Sequence, residues 1–81
     1  MLQEELKKFT DVADKEIDRL TAKGLHNYFV INCDLGNNWS ALQYLITEYY
    51  KEKGKTVQYS YCGCKKFMFD ITISWSNVLT N

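Results

Sequence analysis

Three cysteines, Cys33, Cys62 and Cys64, and one histidine, His26, are the side chains with the most reactive chemistry in this 81-residue chain. A thiolate metal centre is the sharpest use of them, because Zn²⁺ takes four tetrahedral ligands and a Cys-x-Cys pair can turn two sulfurs onto one ion. Cys62-Gly63-Cys64 is not the usual Cys-x₂₋₄-Cys spacing, however. His26 also precedes Cys33 by seven residues on one extended run, roughly 23 Å at ~3.3 Å per residue, so it cannot complete the site. Asp34 or a second subunit would have to supply what is missing. Reduced, partly buried cysteines are the simpler expectation, and no cofactor is expected. Cysteine nucleophiles need a base within hydrogen-bond reach, and the misplaced histidine leaves none. A redox role for Cys62 and Cys64 lacks the helix N-terminus that lowers thiol pKa values in Cys-x-x-Cys enzymes. The chain is therefore expected not to be an enzyme.

A second candidate is Asp34-Leu35-Gly36-Asn37-Asn38-Trp39-Ser40, which leaves a strand and opens a helix, where free backbone N–H groups and the helix dipole attract anions. It holds one glycine and no lysine, against the several glycines of phosphate-binding loops. A capped βα turn is the plain reading. The alternative is a small anionic metabolite or nucleotide held by Gly36, Asn37, Asn38, Trp39 and Ser40 at the strand ends, a position ligands favour in α/β units.

The third candidate is a binding surface. Tyr44 falls on the outer side of a helix beside Ser40, Thr47, Glu48 and Lys51, where a large aromatic has no core to join, and exposed tyrosines are enriched at protein interfaces. The lysines 51, 53 and 55 lie at one end of the β-α-β unit and Lys65 and Lys66 at the other, so they form no continuous basic stripe.

The elements that position these residues follow from hydrophobic spacing. Leu2, Leu6, Phe9, Ala13, Ile17 and Leu20 recur at steps of three and four, which predicts an amphipathic helix over residues 2–23, with Gly24 as its stop and Leu25 folding back. Glu4-Lys8 and Asp11-Lys15 have the spacing of intrahelical ion pairs. Asn27 to Cys33 is a short run of β-branched and aromatic residues, read as a strand covered at least partly on both faces. Trp39 to Lys53 predicts a second helix burying Trp39, Leu42, Leu45, Ile46, Tyr49 and Tyr50, capped by Asn37 or Asn38 and stopped by Gly54. Val57, Tyr59 and Tyr61 then alternate with polar residues, as do Phe67, Phe69, Ile71, Ile73 and Trp75, with Cys62-Gly63 as the tight turn between two strands.

The order α-β-α-β-β predicts an α+β fold of two layers, a three-stranded mixed or antiparallel sheet with two helices packed on one face. The length and regularity of the third strand favour it for the sheet centre. The uncovered sheet face would then present Thr56, Gln58, Ser60, Met68, Asp70, Thr72 and Ser74, with either Tyr28 and Val30 or Phe29 and Ile31 from the first strand. Tyr44, Thr47 and Lys51 on the helix and Met68, Asp70 and Thr72 on the sheet are the expected partner-binding residues.

Composition bounds the function classes. One domain over residues 1–81 is the economical reading, with 76–81 as a tail that frays. Hydrophobic residues make up 46% and charged residues 25%, ordinary for a folded chain. Ten Lys plus Arg balance ten Asp plus Glu, which removes the general attraction to phosphate backbones and makes nucleic acid a poor partner. No apolar run spans a bilayer, and the acidic, periodic N-terminus is unlike a signal peptide, so a cytoplasmic protein without a membrane is expected. No motif names a family. In size and character the chain is similar to small phage-encoded accessory proteins, anti-CRISPR and other anti-defence inhibitors among them. That likeness implies a compact intracellular inhibitor or regulator of a macromolecular partner, so a protein partner or a second copy of the chain is the expected company. Ligand sequestration and a zinc-stabilised structural module are the alternatives.

Overall fold

The computed structural model describes residues 2–61, 63 and 65–76. Five elements follow in the expected order: α1 (Leu2–Ala22), β1 (Asn27–Asp34), α2 (Trp39–Lys51), β2 (Thr56–Tyr61) and β3 (Met68–Ser74). The sheet order is β1-β3-β2, and both outer strands pair antiparallel with β3, so β1 and β2 run the same way. Both helices pack on one face of this sheet. The fold is α+β, and the regular alternation of β3 does place it at the centre.

Both helices end as their glycines dictate. Leu25 N–H returns to Leu20 O and Gly24 N–H to Thr21 O, and Lys55 N–H to Tyr50 O and Gly54 N–H to Lys51 O repeat the pattern. Such double closure needs a residue in the left-handed region, which Gly24 (φ +83°) and Gly54 (φ +79°) supply without a Cβ clash. The N-terminus of α2 is less conventional: Asn38 is the cap residue, but its side chain makes no capping hydrogen bond. The ion pairs on α1 also differ from expectation, since Asp11 pairs with Lys7 at 3.1 Å and Glu16 with Arg19 at 2.6 Å.

The core is formed by Ala13 and Ile17 of α1, Leu42, Ile46 and Tyr50 of α2, and Phe69, Ile71 and Ile73 of β3, with Leu35 from the β1–α2 turn. A polar clasp joins the helices. Asp14 accepts the Tyr49 hydroxyl at 2.6 Å and the Tyr50 hydroxyl at 2.9 Å, so a fully buried tyrosine finds its partner on the other helix. The two rings meet edge to face, their centroids 4.8 Å apart.

Two irregularities depart from the sequence expectation. β1 carries a bulge between Val30 and Cys33, where Asn32 takes φ +57° and donates its N–H to Asp70 Oδ1 at 3.0 Å. In the hairpin connection Gly63 takes the positive φ (+79°) expected of a turn glycine, while Cys62 lies outside the described residues. β2 ends at Tyr61 and β3 begins at Met68, so residues 62–67 form the connection. Phe67, expected as the first inward residue of β3, sits at φ +61° in that connection, and its carbonyl accepts Leu35 N–H at 2.8 Å. The alternation of Phe67 with Phe69 imitated a strand that starts one residue later.

Candidate functional site

The covered face of β1 is made by Tyr28, Val30 and Cys33, all half-buried toward the helices, which leaves Phe29 (65% exposed) and Ile31 (72%) on the uncovered face. There Phe29 lies in register with Thr72, and Thr72 with Gln58. Several polar groups of this face are already engaged. Asp70 accepts the Asn32 N–H, and the Ser74 hydroxyl donates to Asn27 Oδ1 at 2.9 Å. Met68 is half-buried opposite Asp34.

On α2, Tyr44 is 65% exposed and Lys51 is exposed, but Thr47 does not belong to that outer surface. It leans toward β2. The Tyr59 hydroxyl donates its single proton to Gln43 O at 2.9 Å, so Thr47 donates to the Tyr59 oxygen, also at 2.9 Å. Thr47 is thus a half-buried link between helix and sheet, placed outward by a helix period that carries no information about tyrosines on a neighbouring strand.

The turn after β1 serves two different concavities. Asp34 Oδ1 accepts the Gly36 N–H at 2.9 Å, closing a side-chain turn with Gly36 at φ +76°. Gly36, Asn37 and Asn38 then border a groove of about 720 Å³ between α1 and β1, with Phe9 and Val12 on one wall and Tyr28 and Val30 on the other. Trp39 and Ser40 are not among its lining residues, so the five residues of the anion-binding alternative are divided. Glu5 and Asp34 also border this groove against Lys8 alone, a charge balance that does not favour an anion. Cys33 faces the same groove, and burial, reinforced by Asp34, pushes its thiol pKa up. A protonated thiol is a poor nucleophile and a poor metal ligand. Among the described residues no three His, Cys, Asp or Glu side chains converge on a common point; Cys62 and Cys64 lie outside them.

Trp39 turns instead into a cleft of about 460 Å³ that it shares with Tyr61, Lys66, Phe67 and Phe69. Phe69 is its floor, with the Trp39 and Tyr61 ring centroids each 5.5 Å away. Tyr61 is 59% exposed although its strand position puts it on the helix-covered side, because α2 begins at Trp39 and no helix passes over it. The cleft is an aromatic trough with Lys66 at its rim. Sequence reasoning missed it by assigning Trp39, Tyr61 and Phe67 to buried faces; Phe69 is core as expected, 8% exposed, and it is the cleft's floor. The available signal was position, since all four lie at or beside the ends of elements, where coverage runs out.

No helix among the described residues is long and apolar enough to cross a membrane. Comparison with family models, with curated proteins and with solved structures finds no match for the chain.

Proposed function

We propose that this chain is a small binding module that takes hold of a protein partner through the aromatic cleft at the start of α2. The observation that carries the reading is the open arrangement of Trp39, Tyr61 and Phe67 about Phe69, with Lys66 at the rim. Rigid aromatic side chains left in contact with water around a concavity are the composition of interface hot spots, where a partner's apolar side chain is desolvated at little entropic cost. Lys66 adds a preference for an acidic group beside that anchor. A balanced net charge favours a protein over a nucleic acid as the source of the anchor.

A random peptide library selected on the immobilised 81-residue chain tests this. Enriched peptides should share an aromatic or large aliphatic residue next to Asp or Glu. Binding of a selected peptide should weaken by about 2 kcal/mol, roughly thirtyfold, in Tyr61→Ala. The exposed position of Tyr61 predicts unchanged circular dichroism for that variant. Peptides with no common anchor, binding indifferent to Tyr61→Ala, or preferential retention of single-stranded oligonucleotides would each overturn the reading.

A further inference from the structure

The flank of α1 that borders β1 carries Glu5, Lys8, Val12, Glu16 and Arg19, whose spacing by three and four residues aligns them in one stripe. Glu5, Lys8 and Val12 border the groove beside Tyr28 and Val30, and Glu16 and Arg19 continue it beside Tyr28 and Phe29. Val12, at the middle of the stripe, is 60% exposed. Below the stripe runs β1, an edge strand paired on one side only, with Phe29 and Ile31 exposed on its other face.

This surface is complementary to itself. Along the stripe the order is acid, base, apolar, acid, base, so an antiparallel copy centred on Val12 sets Arg19 opposite Glu5 and Glu16 opposite Lys8. Along β1, an antiparallel copy centred on Val30 sets Phe29 opposite Ile31 twice, an aromatic on a β-branched residue, which is a favourable cross-strand pair. Val12 and Val30 border the same groove, so the centres of the two matches lie side by side, as a common two-fold axis requires. From this self-complementarity we infer that two copies of the chain associate across β1 and the flank of α1, joining their sheets edge to edge. The occupant is a second copy because the match needs both the charge order and the strand register to reverse about one axis, as an isologous interface does.

The bulge at Asn32 ends the strand pairing, which in the register centred on Val30 joins residues 29–31 of each copy. The groove that separates α1 from β1 leaves room for the partner's helix flank above the paired strands. The Glu16–Arg19 pair on each helix is exposed to water, so both side chains can also reach the partner. The surface uses the α1 stripe and residues 29–31 of β1, whereas the aromatic cleft is lined by Trp39, Tyr61, Lys66, Phe67 and Phe69 and shares no residue with it, so the dimer and the peptide site stand or fall separately.

Sedimentation equilibrium of the full chain tests the inference, with the dimer expected at twice the 9.5 kDa chain mass. Ile31→Lys should yield a folded monomer, since the side chain has no core contact to lose. Lys8→Glu should raise the dimer Kd about tenfold by setting like charges opposite one another at both symmetry-related sites. The double variant Lys8→Glu/Glu16→Lys should restore most of that loss, a rescue that a merely destabilised fold would not give. A chain that stays monomeric at about 1 mM, near the weakest association worth calling specific, would overturn the inference. So would a dimer that survives Ile31→Lys, or a double variant no tighter than the single one.

Discussion

Asp14 is the residue on which two elements close, because its carboxylate accepts both the Tyr49 and Tyr50 hydroxyls. The consequence is a pH dependence with a definite sign. Donation to Asp14 raises the Tyr49 pKa, and burial followed by the same carboxylate raises that of Tyr50, both above the ordinary value of 10.0. Burial does the same to Tyr59. A group whose native pKa is raised holds its proton more tightly folded than unfolded, so its stabilisation is complete below pH ~10 and is lost as the pH climbs toward the native value. The unfolding free energy should therefore fall with pH above about 10. Tyr50→Phe should cost about 1.5–3 kcal/mol at pH 7, the range for a hydrogen bond to a charged acceptor, and should make the alkaline decline shallower. Urea titrations at pH 7 and above 10 check both, and an unaltered alkaline slope would remove Tyr50 from the account.

At the scale of one element, α2 shows how its two sides divide between packing and exposure. Leu42 is 4% exposed in the core while Tyr44, two residues on, is 65% exposed. Tyr44→Ala should change stability by no more than about 0.5 kcal/mol, whereas Leu42→Ala or Ile71→Ala should cost roughly 2–5 kcal/mol through lost burial and a cavity. Chemical denaturation of the three variants measures the contrast, and strong destabilisation by Tyr44→Ala would mean that the helix is rotated. That the helix period placed Tyr44 and Leu42 is no accident, because at about 100° per residue they point roughly opposite ways, Leu42 at the centre of the core and Tyr44 directly away from it. The same period misplaced Thr47, whose surroundings are set by Tyr59 on β2. It misplaced Trp39 as well, since the first residue of a helix overhangs whatever the preceding turn leaves open. In β1 the uninterrupted run Tyr28, Phe29, Val30, Ile31 has no period at all, so sequence could state the two possible faces and not choose between them. What chose was the covering of one face by α1, a fact of packing that no local pattern contains.

Across the whole molecule the strands are not equivalent, and their topology ranks the local stabilities. β3 lies between the other two, so Ile71 is opposed by Val30 and Tyr59, and Ile73 by Tyr28 and Val57. In an antiparallel ladder amides point alternately to either side, so successive β3 amides within the paired stretch find acceptors on β1 or β2, while an edge strand leaves alternate amides to water. The side chains of Ile71 and Ile73 are also fully buried between the sheet and both helices. Opening β3 thus requires giving up both ladders and the core together, which is global unfolding. The amides of Ile71 and Ile73 should accordingly be among the slowest to exchange with deuterium, with an opening free energy equal to that from denaturant unfolding. Those of the first turn of α1, where Gln3, Glu4 and Glu5 are exposed, should exchange by fraying alone. Raising the protein concentration should then slow the outward-pointing amides among residues 29–31, if the β1 edge is paired as inferred, and leave β3 unchanged. If β3 amides open at the same free energy as those first-turn amides, the sheet is not the cooperative centre of the fold and stability resides in the helix pair clasped by Asp14.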